Sequence, residues 1–155
     1  MQTTVGKDID RAKQLLESGE LVAIPTETVY GLAANALDAS AVANIFDVKD
    51  RPHFDPLIVH VKSVGEIGKY VISIPEWAKK LAAKFMPGPI TLVLEKNELI
   101  PDIVTSGLNT VGIRMPNHPM TLELLKKLDF PLTAPSANPF GYISPTNSQH
   151  VYDQL

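Results

Sequence analysis

The amino-acid sequence predicts an α/β domain in which helices flank a single twisted sheet. Segments with helical periodicity alternate along the chain with short apolar runs that are typical of buried strands. The chain has 155 residues, the usual size of one domain, and 45% of them are hydrophobic, which is enough to form a core. No internal repeat, low-complexity tract or linker interrupts the sequence, so we expect residues 1–155 to form one domain.

The first half of the chain predicts two helices and two strands. Residues 8–18 place apolar side chains on one helical stripe, and a glycine follows as a typical C-terminal stop. Residues 38–48 also have an apolar face, and Asp38 is a candidate N-cap for that helix. The apolar runs at residues 21–24 and 57–61 are each bounded by a proline, so we predict that both are strands.

The second half of the chain predicts further helices and three strands. Trp77, Leu81 and Phe85 recur at a spacing of four, which predicts a helix that buries this stripe in the core. Another helix is expected to start at residue 147 or 148, about two turns before the chain ends. The remaining boundaries are residues 73–85 and 121–128 for helices, and residues 90–94, 110–113 and 132–134 for strands.

Composition excludes several classes of protein. The chain has no cysteine, so it cannot have a disulfide framework, a thiol nucleophile or a cysteine-bound metal. Its formal net charge of -3 disfavours a surface that coats nucleic acid nonspecifically, because such surfaces depend on clustered lysine and arginine. No apolar run approaches the length of a membrane span, and residues 1–10 have no apolar signal core. A cytoplasmic location without membrane association fits these features best.

Five polar clusters follow or border the predicted strands. In open α/β sheets, ligands bind outside the carboxyl ends of the strands, so polar loops that recur there predict one convergent pocket. The clusters are residues 25–31, residues 49–53, His60 at the end of its strand, residues 114–118 and residues 134–138.

Lys49, Arg51 and Arg114 are the cations available to this pocket. An arginine offers a rigid fork that suits phosphate or carboxylate, whereas a lysine offers a point charge. A single cation in a loop is usually solvated, but Arg114 closes an apolar run and therefore needs a partner or a ligand. From the residues alone we predict a pocket for a small anionic ligand, such as a triphosphate or an amino-acid carboxylate, with phosphate favoured.

Several familiar signatures are missing from the sequence. It has neither the G-x-x-x-x-G-K-[ST] phosphate loop nor the G-x-G-x-x-G dinucleotide fingerprint, and Ser136 does not stand in a G-x-S-x-G motif. The histidines, which lack the spacing of zinc ligands, are His53, His60, His118 and His150. Taken singly, some cluster residues have a simpler interpretation, in which they cap turns or satisfy loop backbone. These residues are Thr26, Thr28, Ser136 and Asn138.

Taken together, the polar clusters and their strands resemble the YrdC-like family. Six ordered motifs carry the resemblance over nearly the whole chain, from about Leu21 onward. A single K-x-R element would be uninformative, but six motifs in order are highly specific. They are residues 25–32, Lys49-Asp50-Arg51 as K-x-R, residues 56–60, residues 87–92, residues 111–116 and residues 135–138 as S-x-N, with Gly141 and residues 144–146 behind them.

The resemblance implies a single twisted mixed sheet with a deep, positively charged concave face. It also implies L-threonylcarbamoyladenylate (threonylcarbamoyl-AMP) synthase activity, a nucleotidyltransferase reaction. Its substrates would be L-threonine, bicarbonate or carbon dioxide, and ATP with Mg²⁺, and pyrophosphate would be released. The product would serve the threonylcarbamoyladenosine modification of tRNA through a separate downstream transferase, and tRNA is itself a candidate partner. No tightly bound cofactor is implied.

The resemblance also implies roles for individual residues. Lys49 and Arg51 would bind the triphosphate and stabilise its developing charge, and Tyr30 would line the mouth of the pocket. Neither a general base nor a magnesium ligand is implied. The residues implied for threonine are Thr28, His60 and Arg114, and those implied for hydrogen bonds to nucleotide and substrate are Thr110, Ser136, Asn138 and Ser144.

Two other functions stay open from the sequence. The same cations would serve a module that binds double-stranded RNA or tRNA, with an affinity that falls steeply with salt. The domain would alternatively be the carbamoyl-transfer part of a larger maturation protein, which uses carbamoyl phosphate. Family members usually continue past residues 144–146 through further strands, whereas this sequence stops at Leu155. We expect either that the remainder was removed or that this is a minimal version with an incomplete ATP site.

Overall fold

The computed structural model of the chain describes residues 3–52 and 55–155, and six strands in these ranges form one sheet. The strands are β1 (Val22–Ile24), β2 (Gly31–Asn35), β3 (Ile58–His60), β4 (Leu92–Glu95), β5 (Thr110–Arg114) and β6 (Leu132–Thr133). Their order is β1-β2-β6-β3-β5-β4, with β3 and β5 parallel and every other neighbouring pair antiparallel. The predicted α/β fold with a single mixed sheet is therefore confirmed.

Helices flank this sheet, and polar side chains cap several of them. Asp38 accepts hydrogen bonds from the backbone N–H groups of Ser40 at 2.9 Å and Ala41 at 3.2 Å, so the predicted N-cap is confirmed. No helix in the described ranges is long and apolar enough to cross a membrane. The helices are α1 (Ile9–Glu17), α2 (Ala39–Lys49), α3 (Glu76–Phe85), α4 (Asp102–Thr105), α5 (Pro119–Lys127) and α6 (Ser148–Gln154), with a 3₁₀ helix at Val64–Lys69.

One face of the sheet carries the larger core. Helix α2 contributes Ile45 and Phe46, which are buried together with Val59 of β3 and Ile113 of β5. Full burial of an aliphatic or aromatic side chain of this size stabilises a fold by about 1.5–3 kcal/mol. This packing therefore fixes the position of α2, and with it the position of Lys49 at the end of the helix.

The opposite face is covered by helices over only part of its width. Leu16 of α1 and Leu125 of α5 pack against Leu132 of β6, so these two helices cover the part formed by β1, β2 and β6. On β3, β5 and β4, residues that alternate with the core point to this side, and all of them except the buried His60 are at least partly accessible. We call this area the open face; it consists of Ile58, His60, Val93, Glu95, Thr110, Gly112 and Arg114.

The structure contains three elements that the sequence patterns do not predict. Strand β2 has a glycine, a leucine, two alanines and an asparagine, so it lacks the β-branched residues that mark a strand. It becomes a strand because β1 and β6 pair with it on its two sides. The 3₁₀ helix and α4 are too short to show a helical period.

Helix α3 is present as predicted, but the interpretation of its aromatic stripe as core was wrong. Trp77 is 54% exposed and Phe85 is 47% exposed, whereas Ala78 and Ala82 are buried. The helix packs on the core through these small side chains, because alanines allow its backbone to approach the neighbouring elements closely. Leu81 lies at the boundary of this contact and is partly buried.

Gly88 lies where a side chain has no room. Its N–H donates a hydrogen bond to Met115 O at 2.9 Å, which joins the residues after α3 to those after β5. A Cβ atom at position 88 would stand 2.4 Å from Phe85 O, a backbone atom at the end of a helix. We therefore expect Gly88→Ala to lower the free energy of unfolding by about 1–3 kcal/mol, measured by urea denaturation.

The matched control for this substitution is Gly65→Ala. The nearest atom to a Cβ at position 65 is Ser63 Oγ, at an ordinary contact distance of 3.8 Å. Both substitutions add one methyl group, so a difference between them reports the available space. Equal free energies of unfolding in the two variants would contradict the close approach at Gly88.

Candidate functional site

The direction of the strands divides the predicted polar clusters between two edges of the sheet. Because β3 and β5 are parallel, His60 and Arg114 pair in register and lie at the same edge. Strand β6 is antiparallel to β3, so residues 134–138, which follow it, lie at the opposite edge. The polar clusters predict a single pocket at the carboxyl ends of the strands, whereas the mixed sheet produces two groups of candidate residues.

The first group, which we call the Arg114 cluster, consists of Glu27, Thr28, His60 and Arg114. Arg114 Nη2 donates to Glu27 Oε1 at 2.7 Å and to Thr28 Oγ1 at 3.2 Å. Glu27 Oε2 accepts from the backbone N–H of Asn117 at 3.0 Å. Arg114 Nε is buried and has no hydrogen-bond partner among the described residues. Nη2 therefore anchors the guanidinium, while the buried Nε is a donor whose hydrogen bond is left unsatisfied by the described residues.

Glu27 is a member of this cluster that sequence reasoning missed. Burial alone would raise the pKa of Glu27, but hydrogen bonds from Arg114 and from backbone N–H groups, with the positive charge of Arg114, lower it below its ordinary value. The carboxylate is therefore ionised at neutral pH and partly neutralises Arg114. The one signal for this role was the position of Glu27 directly before Thr28 within the first motif.

His60 is the most deeply buried member of the Arg114 cluster, with 3% of its surface exposed. Its Nδ1 lies 3.3 Å from Ile58 O, a contact that favours the neutral tautomer with the proton on Nδ1. Burial, reinforced by the positive charge of Arg114, lowers the pKa of His60 from 6.5 to about 4. At neutral pH the imidazole is therefore uncharged and retains Nε2 as a hydrogen-bond acceptor.

The second group, which we call the Lys49 cluster, consists of Lys49, Arg51, Ser136 and Asn138. Lys49 is the last residue of α2 and is 1% exposed. Its Nζ donates to Ser136 O at 2.5 Å and to Asn138 O in a still shorter contact. Burial, together with the positive charge of Arg51, lowers the pKa of Lys49 from 10.5 to about 8. One ammonium group thus joins residues that are 87 positions apart in the chain.

Arg51 lies two residues beyond Lys49 and has several partners of its own. Its Nη2 forms an ion pair with Asp55 Oδ2 at 2.7 Å and donates to Pro56 O at 3.3 Å. The guanidinium also lies 5.9 Å from the centre of the Phe140 ring, within the range of a cation–π contact. Asp55 was visible in the sequence as an acidic residue four positions after Arg51, whereas the contact with Phe140 depends on folding.

Residues 26–31 connect the two clusters. Gly31 pairs with Ser136 in an isolated β-bridge, and the N–H of Ala137 donates to Tyr30 O at 2.8 Å. The same segment supplies both oxygens that accept from Arg114 Nη2. A single stretch of backbone therefore contacts residues at both edges of the sheet.

Two further candidates lie in or beside this connecting segment. Thr26 Oγ1 accepts from the N–H of Val29 at 3.2 Å and donates to Val29 O at 2.6 Å, so it satisfies loop backbone, as its simpler interpretation predicts. Ser144 is partly buried and precedes Pro145, whose carbonyl oxygen accepts from the N–H of Tyr30 at 2.8 Å. The fold thus brings Ser144 close to the segment that joins the clusters.

Thr110 lies on the open face four residues before the arginine that ends β5, which separates their Cα atoms by about 13 Å. Thr110 also lies two residues before Gly112, the sheet partner of Ile58. Pro56, which accepts a hydrogen bond from Arg51, lies two residues before Ile58. The open face therefore extends from the level of Thr110 and the Lys49 cluster to the Arg114 cluster.

The cations of both clusters already have partners in the protein. Arg114 is paired with Glu27, Arg51 with Asp55, and Lys49 with two carbonyl oxygens. The positive charge expected for the concave face therefore stays a prediction. Within residues 3–52 and 55–155, no three histidine or acidic side chains are grouped to hold a metal ion. His53, in the predicted cluster at 49–53, lies outside the described residues.

The chain is an α/β domain with a mixed, partly uncovered sheet. Two clusters that each contain an arginine border the open face of this sheet. The Sua5/YciO/YrdC family model, described as telomere recombination, matches residues 14–155. A threonylcarbamoyl-AMP synthase of Pyrococcus abyssi is 50% identical over 144 residues, which are 93% of this chain and 42% of that protein. The chain belongs to the Sua5/YciO/YrdC family, so the resemblance in its motifs is confirmed.

Solved structures share this fold. A crystal structure of P. abyssi Sua5 complexed with L-threonine matches with a TM-score of 0.93 at 46% identity, over 98% of this chain and 45% of that chain. A full-length HypF in a phosphate- and nucleotide-bound form matches with a TM-score of 0.84 at 26% identity, over 99% of this chain and 24% of that chain. The chain spans less than half the length of each of these relatives.

The low pKa of His60 makes the stability of the fold depend on pH. The unfolded chain binds a proton at His60 near pH 6.5, whereas the folded chain binds it only near pH 4. The resulting contribution to the free energy of unfolding is full above pH 6.5 and is lost as the pH falls toward 4, on the order of 3 kcal/mol in total. In urea denaturation at pH 7 and pH 4.5, we expect a smaller difference for His60→Gln than for the wild type.

The control for this measurement is His150→Gln, because His150 is exposed on α6. This variant should keep the wild-type difference between the two pH values. If His60→Gln also keeps it, His60 is not the buried neutral group described above.

Proposed function

We propose that this chain carries threonylcarbamoyl-AMP synthase activity, in which L-threonine, bicarbonate or carbon dioxide, and ATP yield threonylcarbamoyl-AMP and pyrophosphate. The observation that carries the proposal is the Arg114 cluster, in a fold that matches Sua5 complexed with L-threonine at a TM-score of 0.93. An arginine with a free N–H, a threonine hydroxyl and a neutral imidazole are complementary to the carboxylate, hydroxyl and amine of threonine.

The proposed reaction has two steps. The ammonium group of threonine first loses a proton to solvent, and the resulting amine attacks carbon dioxide to form the N–C bond. Loss of a second proton from this nitrogen to solvent gives the carbamate anion. A carbamate oxygen then attacks the α-phosphorus of ATP; the bond to the bridging oxygen breaks, and pyrophosphate leaves with that electron pair. Neither step requires a covalent bond to the protein. The protein must instead align the attacking oxygen with the leaving group and stabilise negative charge on the phosphate.

The Arg114 cluster is the proposed threonine site. The buried Nε of Arg114 would donate to the α-carboxylate of threonine, where a charge-assisted hydrogen bond satisfies both groups. Thr28 and His60 would form hydrogen bonds with the hydroxyl and amine of threonine. Because the pKa of His60 is about 4, the imidazole is neutral at pH 7 and does not repel a positively charged amine. Tyr30, partly exposed, would line the mouth.

The Lys49 cluster and the nearby end of the open face are the proposed ATP site. The side chain of Arg51 is 13% exposed, and its forked donors suit phosphate oxygens. The distance of about 13 Å from Thr110 to Arg114 leaves room for a nucleotide beside an amino acid. Magnesium would enter with ATP, bound to its phosphates. The residues proposed to contact the nucleotide through hydroxyl or amide groups are Thr110, Ser136, Asn138 and Ser144.

The product would be consumed in the threonylcarbamoyladenosine modification of tRNA. This step needs a separate transferase, which is the proposed downstream partner. A net charge of -3 and two arginines already paired with carboxylates disfavour direct coating of RNA by this chain. A chain without cysteines that supplies tRNA modification would act in the cytoplasm.

The activity is tested by incubating the protein with L-threonine, bicarbonate, magnesium and ATP and measuring pyrophosphate. We expect release that falls to background when either threonine or bicarbonate is omitted. Release that requires carbamoyl phosphate would instead favour the carbamoyl-transfer alternative, and tight tRNA binding that weakens steeply with salt would favour the RNA-binding one. A folded protein with no threonine-dependent release would refute the proposal.

Arg51→Ala tests the phosphate site. A hydrogen bond to a charged group contributes about 1.5–3 kcal/mol, so we expect kcat/KM for ATP to fall by roughly 10- to 100-fold. The matched control is Arg11→Ala, because Arg11 is exposed on α1 and forms hydrogen bonds with Asp8 and Gln14, in and beside its own helix. If Arg51→Ala lowers kcat/KM for ATP no more than the control does, Arg51 does not contribute to ATP binding.

A further inference from the structure

Lys49 was expected to bind the triphosphate, but its ammonium group is already engaged inside the protein. An ammonium has three N–H donors and no acceptor. Two of these donors point to Ser136 O and Asn138 O, and the residue as a whole is 1% exposed. A phosphate ligand in this position would have at most one donor and almost no accessible surface on which to act.

The carbonyl groups that accept from Lys49 belong to Ser136 and Asn138, two residues that are themselves proposed to contact the nucleotide. Carbonyl oxygens of Ser136 and Asn138 converge on one point, and two such oxygens repel each other unless a donor stands between them. The N–H of Phe140 donates to Lys49 O at 2.8 Å in the reverse direction. Three hydrogen bonds therefore tie the end of α2 to residues 136–140.

The opposite side of this segment is held by the strand beside it. Ser136 pairs with Gly31, and the N–H of Ala137 donates to Tyr30 O. The side-chain Nδ2 of Asn138 donates to two nearby carbonyl oxygens, while its Oδ1 is buried without a partner among the described residues. The position of Asn138 Oδ1 thus depends on a segment clamped between β2 and Lys49.

We propose that Lys49 is a positioning residue that fixes the Ser136–Asn138 segment through its carbonyl groups and does not contact the triphosphate. Arg51 is then the cation of this cluster that contacts phosphate. Helix α2 provides the rigid support, because Ile45 and Phe46 anchor it in the core one turn before Lys49. This inference rests on the proposed function in one respect, namely that the ligand of the segment is ATP.

The first test compares ATP with AMP as ligands of two matched variants, Lys49→Met and Arg51→Met. Loss of a positioning residue damages contacts shared by both nucleotides. Lys49→Met should therefore lower the affinities for ATP and for AMP by the same factor, at least 10-fold. Arg51→Met should lower the affinity for ATP at least 10-fold more than the affinity for AMP. Calorimetric titration measures both. A loss in Lys49→Met that is confined to ATP would overturn the inference.

A double-mutant cycle separates positioning from a general loss of stability. If Lys49 acts through the segment, Ser136→Ala should weaken ATP binding in the wild type but by less than 2-fold in Lys49→Met. In the Arg51→Met background, Ser136→Ala should keep its full wild-type effect. Additive effects of Lys49→Met and Ser136→Ala would mean that Lys49 contributes independently of the segment, against the proposal.

Two further measurements keep the inference testable if Lys49→Met does not fold or if nucleotide does not bind. In the wild type titrated with inorganic triphosphate, the NMR signal of Arg51 Nε should move and that of Lys49 Nζ should not; a shift at Lys49 would refute its positioning role. In ligand-free Lys49→Met, the Ala137 amide should exchange at least 10-fold faster relative to the core amide of Ile113. Failure of ATP to bind would defeat the proposed function, whereas unchanged exchange at Ala137 would defeat the role of Lys49.

Discussion

The pairing of β3 with a parallel neighbour on one side and an antiparallel neighbour on the other is the constraint on which the candidate site depends. Parallel pairing with β5 brings His60 and Arg114 to one edge of the sheet. Antiparallel pairing with β6 sends Ser136 and Asn138 to the other edge. In a fully parallel sheet all four would lie at one edge, as in open α/β folds that bind ligands at the carboxyl ends of their strands. The mixed sheet instead spreads the polar groups along an open face.

That spread requires something to hold the two clusters in a fixed relation, and residues 26–31 do so. At one end of this segment Gly31 pairs with Ser136, and near the other end Glu27 and Thr28 accept hydrogen bonds from Arg114. Glu27 is central to it, because its two oxygens contact a side chain and a backbone N–H on the far side of the site. The geometry of the Arg114 cluster is therefore set by the same backbone that borders the Lys49 cluster.

Full or partial burial of a cation is costly unless the charge is compensated, and the lysine and the two arginines of the site are compensated in different ways. Arg114 and Arg51 each have a carboxylate partner, Glu27 and Asp55. Among the residues that the structure describes, the partners of the Lys49 ammonium are carbonyl oxygens alone, and burial lowers the pKa of Lys49 to about 8. Arginine pairs that stay partly accessible suit binding of an incoming anion, whereas a lysine enclosed by backbone suits support of a loop. The difference in partners is thus a difference in role.

Much of the fold followed from local patterns. The helix beginning after Asp38 and the apolar strands were predictable because periodicity and capping act within a few residues. Strand β2 was not predictable, since its small residues become a strand only between two partners. The aromatic stripe of α3 was misassigned because spacing alone does not show which side of a helix meets the core; Ala78 and Ala82 do, and Trp77 does not.

For the candidate site, the sequence by itself determined which residue types were available: three cations, a histidine at a strand end and the K-x-R and S-x-N elements. Only the tertiary structure decided that Arg114 joins Glu27 and that Lys49 is enclosed by Ser136 and Asn138. The physical reason is the separation along the chain over which each kind of interaction acts. Helix periods, caps and turn residues act between near neighbours, whereas these contacts join positions 87 or more apart and exist only once the strands have paired in one particular direction and register.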